Sequence, residues 1–207
     1  MPGYLSNQWL DDANRKKMER VHMDEKLERI LAAHCAPVLA GIKTANLVAC
    51  PFREFSELPA RVKEYNRAFG KKGLRFEILC VCRERFLLLV YRSKRLETDL
   101  RKPAAKEILR LCGYPEGLRE QLAFLRDRIL KSVDFPHEIG LFLGYPPCDV
   151  KGFMEHGGKG CKLSGCWKVY GDAAAAERLF ERYQRCSRAT CERVESGIPL
   201  MKLFAVS

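Results

Sequence analysis

Long hydrophobic runs are what this 207-residue chain most lacks. Its longest unbroken apolar string, Phe86 to Tyr91, is strand-sized, whereas crossing a bilayer takes roughly 18 apolar residues or more. No membrane segment is expected. The N-terminal stretch MPGYLSNQWLDDANRKK has no apolar core of the kind a secretory signal carries, so a cytoplasmic location is expected. Neither GxxxxGK[ST] nor a strand–GxGxxG–helix unit occurs, which removes the usual nucleotide fingerprints. No two cysteines stand at CxxC spacing, and iron–sulfur spacings do not fit either. The recognition-helix, zinc-finger and RNP patterns of nucleic-acid binders are missing too.

What is present is enough to fold. Hydrophobic residues make up 47% of the chain, an ordinary share for a globular protein, and the length suits one domain or one domain with an appendage. Ten cysteines without a signal peptide read as reduced thiols rather than as disulfides. Cys50, Cys80, Cys82 and Cys112 have apolar neighbours and read as small core residues. The net charge of +11 is uneven: residues 61–131 hold 19 basic against 9 acidic side chains. That excess suits an anionic ligand, an acidic partner or nucleic acid, though no nucleic-acid motif accompanies it, and a solvated surface explains it as well.

Residues 1–22 are polar, lack a sustained period and read as an appendage, with Met23 an alternative start; residues 23–207 read as a single globular domain. Leu27, Ile30, Leu31 and His34 share one face of a predicted helix that Pro37 should end or restart. Residues 44–50 read as a strand and 56–69 as a helix. Residues 74–82 and 86–92 read as a hairpin whose second arm, apolar on both faces, belongs at the centre of a sheet. A basic connector (93–101), helices over 103–112 and 115–131, and short helices over 137–143 and 149–156 follow, with a strand as the rival for 137–143. Residues 156–166 are expected to be a loop, mobile if unsupported, 167–170 a strand, and 173–195 the longest helix, capped by Asp172. The apolar tail should dock. The fold class expected is α+β, a small mixed sheet of about four strands covered by helices, with a helical C-terminal half.

Chemistry-capable side chains are densest between Asp134 and Asp172, which holds eight of the fifteen glycines and three of the ten cysteines. Three blocks, HCAPVLAGIKTANLVAC (34–50), FPHEIGLFLGYPPCDVKGF (135–153) and GCWKVYGD (165–172), resemble the signature blocks of a clostridial and related Firmicutes family catalogued as a domain of unknown function. The resemblance spans about residues 24–200. It implies a cytosolic protein of an anaerobe with reduced cysteines, and brings no established activity, cofactor or catalytic residue.

Several functions compete for these residues. A ligand-binding or regulatory module would use the glycine-rich loop and Lys159, Lys162 and Lys168 around a small or anionic ligand, with His34, Lys43, Asn46 and Tyr170 nearby. A cysteine hydrolase or transferase would use Cys35, read as lying just ahead of a helical N-terminus that favours thiolate, with His137 as base and Glu138 or Asn46 as its orienter. Each of these has a plainer reading, a buried thiol and a polar helix start. A metal or redox site would use Cys148, His156, Cys161 and Cys166, although only Cys161-x4-Cys166 approaches a zinc knuckle. In every version the site lies where residues 34–46 meet 137–149 and 166–170.

Overall fold

The computed structural model describes residues 5–131 and 134–205. The first helix, α1 (Leu5–Leu39), carries Pro37 inside it. It therefore runs through the position expected to end it and is continuous across Met23. A proline in a helix forfeits one N–H bond to the carbonyl four residues back, and here that carbonyl belongs to Ala33, on the exposed side. The chain turns only at Gly41, with φ +80, where the carbonyl of Pro37 accepts the N–H groups of Ile42 and Lys43 at 2.8 and 3.0 Å. The buried stripe is Met23, Leu27, Leu31, Cys35 and Val38. His34 falls outside it and is exposed.

The sheet is three antiparallel strands in the order β1 (Ala45–Pro51), β3 (Arg85–Arg92), β2 (Leu74–Cys82). The run FLLLVY does occupy the centre, and its residues are buried on alternating faces. Leu88 and Val90 join Val48 and Phe76 against α1 and α2 (Leu58–Phe69). Leu87 and Leu89 join Leu79 and Tyr91 on the opposite face. The β2–β3 hairpin closes through Arg83 and Glu84, both at positive φ (48 and 58), the two-residue turn that matches strand twist.

The second face is covered by α3 (Ser93–Leu100), α4 (Pro103–Leu111), α5 (Leu118–Lys131) and α6 (Ile139–Phe142). The segment expected to be a basic connector is therefore a helix: Leu96 and Leu100 are buried at four-residue spacing and outweigh the exposed charge between them. Residues 139–142 are helical rather than extended. Next come α7 (Pro147–His156), β4 (Leu163–Ser164), β5 (Lys168–Val169), α8 (Ala173–Glu195) and α9 (Leu200–Phe204). Asp172 caps α8 as expected, accepting the Ala175 N–H at 2.9 Å. The longest helix is nevertheless α1, at 35 residues against 23. The tail docks, with Leu200 buried in the core between α1 and the sheet.

The fourth strand does not enter the sheet. β5 pairs instead with β4, Leu163 opposite Val169 and Ser164 opposite Lys168. Trp167 and Val169 pack with Phe180 and Tyr183 of α8 in a third, separate core. Burying these apolar groups against α8 wins over extending the main sheet by two residues. Among the described residues no helix is long and apolar enough to cross a membrane.

Candidate functional site

The two prolines at 146 and 147 start α7 and fix the direction of Asp149 in its first turn, where an acidic side chain also suits the helix dipole. Asp149 is only 3% exposed. Its Oδ2 accepts the Trp167 Nε1–H at 2.7 Å, and its Oδ1 accepts the N–H groups of Tyr170 and Gly171, each at 2.8 Å. One buried carboxylate thus ties α7 to the β4–β5 hairpin with charge-assisted bonds. The backbone N–H groups of residues 170 and 171, just beyond the glycine-rich loop, are taken up by the chain's own Asp149.

The glycine-rich segment is a supported turn. Lys162 N–H bonds the Val169 carbonyl at 2.8 Å, Gly165 N–H the Trp167 carbonyl at 3.1 Å, and Tyr170 Oη the Lys159 carbonyl at 3.2 Å. Close packing accounts for Gly165 of this segment and for Gly152 of α7: a Cβ on Gly152 would come within 2.5 Å of the Tyr170 ring, and one on Gly165 would overlap Phe180. Two of the loop lysines are also spent locally. Lys162 Nζ bonds the Gly171 carbonyl and Lys168 Nζ bonds Ser164 Oγ, both at 2.9 Å.

Between α6, α7 and the hairpin lies a cavity of about 260 Å³. Its walls are mainly apolar: Phe135, Ile139, Tyr145, Val150, Phe153 and Trp167. Trp167 is held by stacking on Tyr145, at 4.7 Å between ring centres and 24° between planes, and by an edge contact with Phe180 at 4.5 Å. The polar groups lining it are His137, Ser164, Cys166, Lys168 and Asp149. His137 is exposed and packs edge-on against Phe153 at 4.9 Å. Asp149, the acidic residue among them, is buried and already engaged by three N–H donors, so the accessible polar chemistry is an imidazole, an ammonium, a hydroxyl and a thiol. Burial pushes the Cys166 thiol up, with Lys43 pulling in the other direction.

The segments expected to meet do so through Lys43. Its Nζ donates to Asn46 Oδ1 at 2.6 Å and sits 5.6 and 5.7 Å from the centres of the Tyr145 and Tyr183 rings. Asn46 in turn donates to the His34 carbonyl at 2.6 Å, so His34 enters the arrangement through its backbone while its side chain is exposed. Tyr145 Oη lies 3.4 Å from the Cys166 carbonyl.

The structure corrects the nucleophile. Cys35 lies in the interior of α1, fully buried, not ahead of a helix start, and burial pushes its thiol up to about 12. A thiol that stays protonated and closed to solvent cannot attack. Glu138 does not orient His137: it is 2% exposed, and its Oε1 lies 3.0 Å from Tyr114 Oη and 2.6 Å from Arg128 Nε. It clamps α5 to the start of α6. The four metal candidates are not brought together as ligands, since among the described residues no group of three or more His, Cys, Asp and Glu side chains could hold a metal ion. Cys148 lies beside Asp149, and His156 lies beside Glu155 and 5.7 Å from the Tyr170 ring. Cys148 and His156 sit on α7, while Cys161 and Cys166 sit in the segment that follows it.

Asp149, Tyr145 and Trp167 are the residues whose roles sequence reasoning missed. The available signal was an acidic residue two positions after a proline pair, but its partners are 18 to 22 residues away.

A family model described as "Protein of unknown function (DUF3793)" matches residues 31–204. No curated protein and no solved structure matches the chain.

Proposed function

The chain belongs to the DUF3793 family of proteins of unknown function, and from its geometry we propose that it is a ligand-binding module whose site is the cavity beside Asp149. The observation that carries this reading is a preformed apolar cavity of about 260 Å³ with polar groups confined to a few positions on its lining. Small-molecule sites have this composition, an apolar lining that supplies affinity and a few polar groups that fix orientation. The aromatic walls, Trp167 and Tyr145 on one side and Phe153 on another, suit a flat apolar body. The Asp149 bonds preorganise Trp167, so little ordering is left to be done on binding.

Trp167 reports on its own site. In a Trp9→Phe variant it is the sole tryptophan. Titration with 4-nitrobenzyl alcohol, a neutral aromatic quencher, should give saturable quenching of Trp167. Filling the exposed lip with Ser164→Phe should abolish the saturable component. Linear quenching of equal slope in both variants would mean collisional contact alone and would overturn the reading.

A further inference from the structure

Lys43 carries a charge that its surroundings do not neutralise. Its side chain belongs to a residue only 7% exposed. An ammonium offers three N–H donors, and one of them is matched, to Asn46 Oδ1 at 2.6 Å. The Tyr145 and Tyr183 rings supply a partial negative face. Its other electrostatic neighbours among the described residues are the thiols of Cys166 and Cys35, with no carboxylate among them. Burial accordingly pushes the Lys43 amine below its usual value. A buried cation left without a counter-charge is costly, and natural proteins pair such groups.

The neighbourhood adds positive charge. Arg95 is anchored two residues before Lys43, its Nη1 donating to the Gly41 carbonyl at 2.8 Å. The Tyr183 hydroxyl lies in the field of both Arg95 and Arg182. Asp99, the nearby carboxylate, is committed elsewhere: Oδ2 accepts from Thr44 Oγ1 and Oδ1 from Lys102 Nζ, both at 2.6 Å. The Tyr183 hydroxyl thus stands in the field of Arg95, Arg182 and Asp99, and Asp99 is already paired with Lys102.

This cluster adjoins the cavity. Tyr145 and Cys166 belong to both, since each lines the cavity while the Tyr145 ring also faces Lys43 and Cys166 also lies in its field. We propose that Lys43, backed by Tyr183 and Arg95, is the anion subsite of the cavity, and that the ligand is an apolar acid: a flat body against Trp167 and an oxyanion that becomes the missing counter-charge of Lys43. Lys43 faces the Tyr145 ring and is not itself a lining residue, so the ammonium meets that oxyanion only if its flexible stem changes rotamer. Lys168, half-buried at the rim and already bonded to Ser164, is less desolvated than Lys43 and makes the weaker ion pair. The inference rests on the cavity being the binding site and adds the class of molecule that enters it.

The test compares 4-nitrobenzoate with 4-nitrobenzyl alcohol by Trp167 quenching in the Trp9→Phe background, with Lys43→Met and Lys43→Gln beside it. The acid should bind about 10-fold or more tightly than the alcohol, as expected when a buried charge gains its partner. Either substitution should erase that preference and leave the alcohol's affinity in place. Inorganic phosphate, with chloride at equal ionic strength as control, should displace the acid and not the alcohol. The unliganded Lys43→Met protein should melt no lower than its parent, because it loses an uncompensated charge; a lysine held only for packing would melt lower on substitution. Equal affinity for the two probes, or an acid preference that survives both substitutions, would sink this inference and leave the cavity reading intact. If neither probe saturates, both fail.

Discussion

Replacing Asp149 by asparagine should destabilise the protein even though the side chain keeps its shape. Oδ1 can still accept the N–H groups of Tyr170 and Gly171, now 2.8 Å away. The position of Oδ2 becomes an NH2, pointed at the Trp167 Nε1–H that it now meets at 2.7 Å. Two donors then face each other in a place that is 3% exposed. A buried donor left unsatisfied costs about 1–3 kcal/mol, and each bond to a charged acceptor was contributing about 1.5–3 kcal/mol. Because the hairpin is partly open to water, about 2–3 kcal/mol is expected for Asp149→Asn. About 3–5 kcal/mol is expected for Asp149→Ala, which orphans all three donors. In a chain of this size about 1 kcal/mol moves the melting temperature by roughly 2–4 °C. The assay is urea unfolding followed by far-UV circular dichroism, repeated in a Trp167→Phe background. Phenylalanine brings no N–H, so the donor conflict vanishes and the double mutant should recover about 1–3 kcal/mol relative to additivity. A strictly additive cycle, or an Asp149→Asn protein within about 0.5 kcal/mol of wild type, would refute the assignment of Asp149 as the tie between α7 and the hairpin.

Two further expectations follow from the fold. The Cys35 thiol is raised by burial from 9.0 to about 12, so its contribution to stability is fully present below pH 9 and is lost as the pH rises toward 12, at about 1.4 kcal/mol per pH unit within that window. Urea midpoints between pH 9 and 11 should therefore fall less steeply in Cys35→Ala than in wild type, and native Cys35 should resist aromatic disulfide reagents at pH 8; parallel pH profiles would refute this. The end of α1 depends on Arg92, whose Nε and Nη2 donate to the carbonyls of Val38 and Leu39 at 2.8 and 2.7 Å. Arg92→Met should cost about 2–4 kcal/mol in urea unfolding, and Arg92→Lys should recover part of it, because an ammonium cannot span two carbonyls as the planar guanidinium does.

Much of the fold was legible along the chain because its signals are local. The double-faced apolar run of β3, the α8 cap at Asp172, and the helices over 103–112 and 115–131 each follow from residues within a few positions of one another. The misreadings share a cause of the opposite kind. Pro37 did not break α1, whose end is bonded by Arg92, more than 50 residues away. Its last turn contains no basic residue of its own, so no nearby signal betrayed the cap. Residues 167–170 have strand character, yet their partner is decided by the aromatic face of α8.

The candidate site divides the same way. Composition alone placed the density of glycine, cysteine and histidine between residues 134 and 172, and the cavity lies there. Of residues 34–46, Lys43 reaches Tyr145, while Cys35, on α1, lies in the core and the His34 side chain is exposed. What no spacing could reveal was which groups face one another. Cys35 is sealed in a core, Glu138 is turned onto Arg128 and Tyr114, and among the described residues the four metal candidates form no group that could hold a metal ion.

The order of local elements and the central position of β3 were determined by the sequence alone, since periodicity and composition act over neighbouring residues. Burial and facing were decided only by the tertiary structure. Whether a thiol titrates, whether a carboxylate is free, and whether an ammonium has a partner depend on groups brought together from distant parts of the chain, and those contacts set the desolvation that governs their chemistry.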